Sequence, residues 1–285
     1  MILKNPPPRP SVVKQPSLAF EKFTSFLVNH SNSVESVSNA MAMWDAVPKY
    51  FFTPAQIKKL RGPDGLAKPH TWQFMHKGEL HSVTVQPALI QQPDGGFKAF
   101  FPSMTEELVE EALIKIFSDQ NHGSYDPIKN ESWVKFTLRM IYKELKTRGK
   151  QRNLSQIKHA INVMSLCVLT VTVKEKEAWR GPILQDLVTV GRDDYQDEPD
   201  AKHVARLPVF VGESIKRLEY RQYNYENLMK CQEQLSRWIY KKLIHNFTQA
   251  SVMNDYHFSY ASIVNDSGLL QQSDAQLVPN LQPIH

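Results

Sequence analysis

The sequence predicts an α+β fold with tandem winged-helix domains behind an irregular N-terminal region. Between Phe100 and Val211 the patterning runs helix, helix, helix, strand, strand, strand, with a short basic turn between the second and third helices. That order fits a helix-turn-helix carried on a winged helix. After Gly212 a similar cycle begins again, and the first 99 residues lack any such order.

Residues 1–16 hold five prolines and no apolar periodicity, and read as a mobile arm. Residues 17–99 form the irregular region. A short helical pattern (Leu18, Phe20, Phe23, Phe26, Leu27) leads to the aromatic cluster Met43-Trp44 and Tyr50-Phe51-Phe52, then to Gly, Pro and Asp turn signals around one alternating strand, His81–Val85. The first winged-helix domain is expected over residues 100–212. Ser103-Met-Thr-Glu106 is a capping-box pattern before Leu108, Ala112 and Ile116, and the turn cluster 121–127 ends that helix. The second helix places Val134, Leu138, Ile141, Tyr142 and Leu145 inward and its cations outward, until Arg148-Gly149-Lys150 breaks it. Asn153 or Ser155 can cap the third helix, with Ile157, Ile161 and Met164 inside and Gln156, Lys158, His159 and Asn162 outside. Strands are expected at Leu169–Val173, at Ile183–Val190 after a Gly-Pro turn, and near Arg206–Val211 after the acidic loop Asp193–Asp200. Residues 213–285 form the second unit. Helical patterning after Tyr220-Arg-Gln-Tyr223 places Leu235, Ile239 and Leu243 on one face, and a short helix over Ser259–Asn265 stops at Gly268. The stretch 271–285 is too short and polar to add a recognition helix and wing, so this unit is expected to be incomplete.

With 285 residues the chain buries roughly 75% of its unfolded surface without staples. Two distant cysteines, Cys167 and Cys231, exclude a disulfide scaffold and suit a reducing cytoplasm. The longest uncharged apolar-rich run, Ala160–Val173, is too short and polar to span a bilayer, and neither a signal peptide nor a membrane partner is expected.

The net charge of +5 is unevenly placed. Residues 135–159 carry eight Lys/Arg against Glu144, and residues 216–242 carry seven against three Glu, while the rest of the chain is net acidic. Two readings of the blocks are open: nucleic-acid contact, or solvated basic helix faces. The third helix likewise either enters a major groove or packs at a protein interface.

Catalytic patterns are weak. No phosphate-cradling Gly motif occurs, no cofactor is expected, and His76 and His81 read as surface residues rather than metal ligands. Tyr220-Arg-Gln-Tyr223 resembles the tyrosine pairs of DNA-nicking sites but lacks their paired histidines. His203-Val-Ala-Arg206 followed by Tyr220 has the wrong spacing for a tyrosine recombinase. An enzyme is not expected.

Specific strings add a resemblance. Met43-Trp-Asp-Ala-Val-Pro-Lys-Tyr50, Phe101-Pro-Ser-Met-Thr-Glu-Glu-Leu-Val-Glu-Glu-Ala-Leu113, Leu145-Lys-Thr-Arg-Gly149, Ser155-Gln-Ile-Lys-His-Ala-Ile161, Tyr223-Asn-Tyr-Glu-Asn227 and His245-Asn-Phe-Thr-Gln-Ala-Ser251 resemble, in consistent order, plasmid replication initiators of the RepA, TrfA-related kind. The resemblance implies two winged helices, binding to repeated double-stranded origin sequences (iterons), origin opening, recruitment of the host replicative helicase and replisome components, and a homodimer in equilibrium with monomer. It also implies that the first domain supports dimerisation while the second reads bases. The alternative is a winged-helix autorepressor without initiator activity. Candidate DNA contacts are Arg148, Lys150 and Arg152 on the turn, Ser155, Lys158, His159 and Asn162 on the third helix, and Arg217, Arg221, Arg237, Lys241 and Lys242 in the second basic block.

Overall fold

The computed structural model describes residues 18–28, 37–119, 121–190, 200–247, 251, 253 and 255–270. The expected arm 1–16, most of the acidic loop and the stretch 271–285 lie outside them. The fold is α+β.

The N-terminal region is more regular than its composition implies. It contains helices α1 (Leu18–Phe26), α2 (Ala42–Ala46) and α3 (Pro54–Leu60), with strand β1 (Val37–Met41) between the first two. Two hairpins follow, β2 (His70–His76) with β3 (Glu79–Gln86), and β4 (Ala88–Gln91) with β5 (Phe97–Phe100). Gly78 and Asp94-Gly95-Gly96 form the two hairpin turns, while residues 62–65 turn the chain ahead of β2. Lys77 and Gly78 both adopt positive φ, the backbone that a tight right-twisted hairpin requires.

Helix α4 (Met104–Phe117) runs through the middle of the molecule. It begins as expected, with the Glu106 carboxylate accepting from the Ser103 N–H and hydroxyl, both at 2.8 Å. The next segment departs from expectation. The turn cluster contains strand β6 (Gly123–Asp126), and the inward residue Val134 belongs to strand β7 (Glu131–Phe136) rather than to a helix. Ser132, Val134 and Phe136 are buried while Lys135 is exposed, a period of two that four-residue spacing to Leu138 conceals. Helix α5 starts only at Leu138 (Leu138–Thr147), and α6 (Leu154–Leu166) follows the break. Strands β8 (Val168–Val173), β9 (Lys176–Pro182), β10 (Gln185–Val190) and β11 (Lys202–Leu207) come next. The chain reverses at Lys174-Glu175, both at positive φ, and Gly181-Pro182 lies within β9 instead of forming the turn. The last strand stops at Leu207 because Pro208 opens helix α7 (Val209–Arg217). Strand β12 (Tyr220–Asn224), helices α8 (Tyr225–Lys230) and α9 (Gln234–Asn246), and α10 (Tyr260–Ser267) complete the fold. Gly268 caps α10 at φ 66 with Phe51 packed against it, so a side chain there meets both strain and collision.

The sheets join parts distant in sequence. One has the order β10-β11-β7-β6, another β2-β3-β8-β9, and two-stranded sheets pair β1 with β12 and β4 with β5. The β8–β9 hairpin is therefore extended by strands from before residue 100, and β1 pairs across residue 212 with β12. One cluster of buried residues, from Phe26 to Met229, spans all three segments.

Candidate nucleic-acid interface

The α5–turn–α6 unit is built from strong local signals. Thr137 caps α5 by accepting from the Met140 N–H at 3.1 Å. Leu138, Ile141 and Leu145 are buried, so Arg139, Lys143 and Lys146, at spacings of four and three, share the exposed face. Gly149 ends the helix at φ 69, where a Cβ is disfavoured. Asn153, not Ser155, caps α6, accepting from the Gln156 N–H at 2.8 Å while Gln156 accepts from the Asn153 N–H at 2.9 Å. Ile157, Ile161 and Met164 are buried beneath α6, as expected.

On its outer side, Ser155, Gln156 and Lys158 are exposed. Lys158 lies near the buried His203, whose pKa is lowered by burial and then by that positive charge. His159 is half-buried under Phe100, with the rings edge-on at 4.6 Å, and Asn162 is half-buried further along. The four polar candidates thus form an exposed start and a partly covered end.

The turn cations do not form a phosphate cradle. Arg148 pairs with Glu144 at 3.2 Å and lies 5.6 Å from the Tyr225 ring. Arg152 donates to Thr105 Oγ1 at 3.3 Å and to the Gln151 carbonyl at 3.0 Å. Lys150 is buried, donating to the carbonyl of Cys231 at 2.8 Å and to Gln232 Oε1 at 2.9 Å. Lys150, expected to meet a phosphate, has its ammonium held by the turn between α8 and α9.

Most cations of the second basic block are also engaged within the protein. Arg237 is 1% exposed and holds Glu107 of α4 through Nε at 3.0 Å and Nη2 at 2.7 Å. Lys241 sits between Glu111 and Asp45, the latter at 2.8 Å. His245 lies 3.1 Å from Asp45, and Tyr223 donates to Glu111 at 3.0 Å. Burial by itself raises the Asp45 carboxyl, but Lys241, His245 and Lys49 outweigh it and hold the pKa well below the usual carboxylate range. Burial likewise lowers Lys241, and its two carboxylate partners more than reverse that. These cations neutralise acids of the central helix, so the head groups of Arg237 and Lys241 are engaged inside the protein. Lys242 pairs with Asp266 at 3.0 Å and Arg217 with Glu213 at 2.9 Å, while Arg221 is exposed on β12.

Sequence reasoning overlooks four exposed cations of the first block: Lys135 on β7 and Arg139, Lys143 and Lys146 on α5. Their signal is the spacing 139, 143, 146. Arg139 touches Asp200 at 2.8 Å, but both side chains are about half exposed or more, and such pairs are weak. The tyrosines weighed for covalent chemistry are engaged. Tyr223 is buried against Glu111, and the Tyr220 hydroxyl lies 2.7 Å from Ser25 Oγ. His81, expected at the surface, is buried because its ring stacks on Phe74 at 5.4 Å. Among the described residues no helix is long and apolar enough to cross a membrane.

No protein-family model matches the chain, and no curated protein matches it in sequence. Among solved structures it is similar to two crystal structures of domains 2 and 3 of RctB. With the selenomethionine derivative the identity is 12% and the TM-score 0.40, covering 68% of this chain and 69% of that one. The second has the same identity and TM-score, covering 67% and 68%.

Proposed function

We propose that this protein is a plasmid replication initiator that binds repeated double-stranded origin DNA through the α5–turn–α6 unit. The observation that carries the reading is the exposed cation set Lys135, Arg139, Lys143 and Lys146, next to a helix whose first turns expose Ser155, Gln156 and Lys158. In a helix-turn-helix the first helix crosses the backbone and the second presents its N-terminal residues to base edges. The cations lie on the helix that would cross the phosphates, and the exposed polar residues lie at the start of the helix that would enter the groove. His159 beneath Phe100 limits the readable face to that start. The strings over residues 43–251 that resemble RepA-type initiators support the choice of initiator within DNA-binding proteins.

In this reading the tandem units are winged helices, origin opening follows iteron binding, host helicase and replisome components are recruited, and dimers repress while monomers initiate. The test is replication of an origin plasmid with the protein supplied in trans. Maintenance of the plasmid is expected. Binding to origin repeats without replication would make the protein an autorepressor, and covalent attachment of the chain to DNA through Tyr220 or Tyr223 would make it a nicking enzyme.

A further inference from the structure

Strand β12 has only one hydrogen-bonded neighbour among the described residues, β1. Its counterpart ahead of the first helix pair, β7, is flanked on both sides, by β6 and β11. The other edge of β12 borders an open groove of about 700 Å³, with Ser25 of α1 on one wall and Tyr240 and Ile244 of α9, with Phe247 just after it, on the other. Tyr240 and Ile244, four apart on α9, share one face, and Phe247 lines the same groove. Leu218 and Phe247 are about half exposed at the groove. Arg221 shares the sheet face of Tyr223, which packs edge-on against Tyr240 at 6.3 Å. Its guanidinium lines the groove and has no carboxylate partner among the described residues.

A bare strand edge is a template for pairing, and folded proteins usually cover, charge or twist such edges. An apolar wall on one side and Arg221, without a carboxylate partner among the described residues, beside the strand match the way extended peptides add to sheets. Main-chain bonds then hold the peptide, and alternate side chains select it. We propose that the edge of β12 opposite β1, unpaired among the described residues, docks an extended peptide from a partner protein as a third strand of the β1–β12 sheet. A carboxylate of the peptide faces Arg221, and its apolar side chains lie on Tyr240, Ile244 and Phe247. This site shares no residue with the α5–turn–α6 unit and stands whether or not that unit binds DNA.

The test selects a phage-displayed library of random peptides, about eight residues long, on the full chain. The best peptide is then synthesised with a fluorescent label. Expected are sequences with alternating apolar positions and one acidic position, and binding that falls about tenfold or more, roughly 1.4 kcal/mol, with Arg221→Glu. Replacing the peptide's acid by Lys restores binding to that variant, and N-methylating alternate peptide amides abolishes it. Phe247→Ser, at a half-exposed position, weakens binding while leaving the circular dichroism unchanged. The proposal is overturned by no enrichment, by binding indifferent to Arg221→Glu and to N-methylation, or by displacement of the peptide with duplex DNA. It is also overturned if sedimentation shows a dimer of the chain that Arg221→Glu dissolves, since the occupant is then a second copy.

Discussion

Lys150 and Arg237 donate to one and the same acceptor, the carbonyl oxygen of Cys231, at 2.8 and 3.0 Å. Lys150 sits in the turn between α5 and α6, Cys231 in the turn between α8 and α9, and Arg237 is anchored to α4 through Glu107. The two turns are therefore locked against each other and onto the central helix. Burial and the nearby Arg237 lower the Lys150 pKa.

Arg237→Leu leaves Glu107, whose side chain is 14% exposed, without its partner. Breaking such a pair costs about 3–5 kcal/mol, whereas replacing both members is often close to neutral. Chemical denaturation is expected to show a large loss for Arg237→Leu and a smaller one for Arg237→Leu with Glu107→Leu. Equal losses would mean that packing of the guanidinium, not the charge pair, is what the site needs.

Lys150→Ala is expected to lower stability by about 1–3 kcal/mol, since a buried acceptor loses a charged donor. At temperatures where the variant stays folded, its salt dependence of DNA binding should match that of the wild type. A flattened salt slope would show that Lys150 leaves its buried site to meet a phosphate.

Asn153→Ala should cost about 1 kcal/mol through loss of the α6 cap, and Asn153→Ser much less, because a hydroxyl can accept the same N–H. Thermal melts of the two variants measure the difference.

Acid should begin to destabilise the fold through its histidines. His76 is held at a pKa of about 4 by burial and then by His81, Lys77, Lys242 and His245, against an ordinary value of 6.5. Burial also lowers His70, His81 and His203. A folded pKa below the unfolded one means the unfolded chain takes up the proton first. Stability is thus intact above about pH 6.5 and declines as pH falls towards 4. Urea midpoints at pH 7 and pH 5 are expected to differ, and His76→Gln should narrow the gap.

The local signals in the sequence survive in the structure. Ser103, Asn153, Ser259 and Gly268 mark helix ends, and the inner faces of α5 and α6 follow a period near 3.6. Strand β7 is obscured because Val134, Leu138, Ile141 and Leu145 continue one helical rhythm across the Thr137 cap. The pairings β1–β12 and β3–β8 join segments far apart in the chain, which no local pattern encodes. The interior role of Arg237 and Lys241 is hidden for the same reason, since their partners Glu107 and Glu111 lie 130 positions earlier. One signal is present: both pairs are spaced by four, so each lies on a single helix face, and the acids sit on a helix otherwise too apolar to be exposed.

α5 and α6 are proposed to hold duplex origin DNA. The most direct test is the salt dependence of binding to origin repeats and to scrambled duplex, for the wild type and for Lys135→Ala/Arg139→Ala/Lys143→Ala/Lys146→Ala. Each phosphate that is no longer neutralised should reduce the slope of log K against log salt by about 0.9. Tighter binding to the repeats by the wild type is expected, and a slope shallower by about 2–4 units in the quadruple variant. Equal weak binding to both duplexes, or a slope unchanged by the four substitutions, would contradict it.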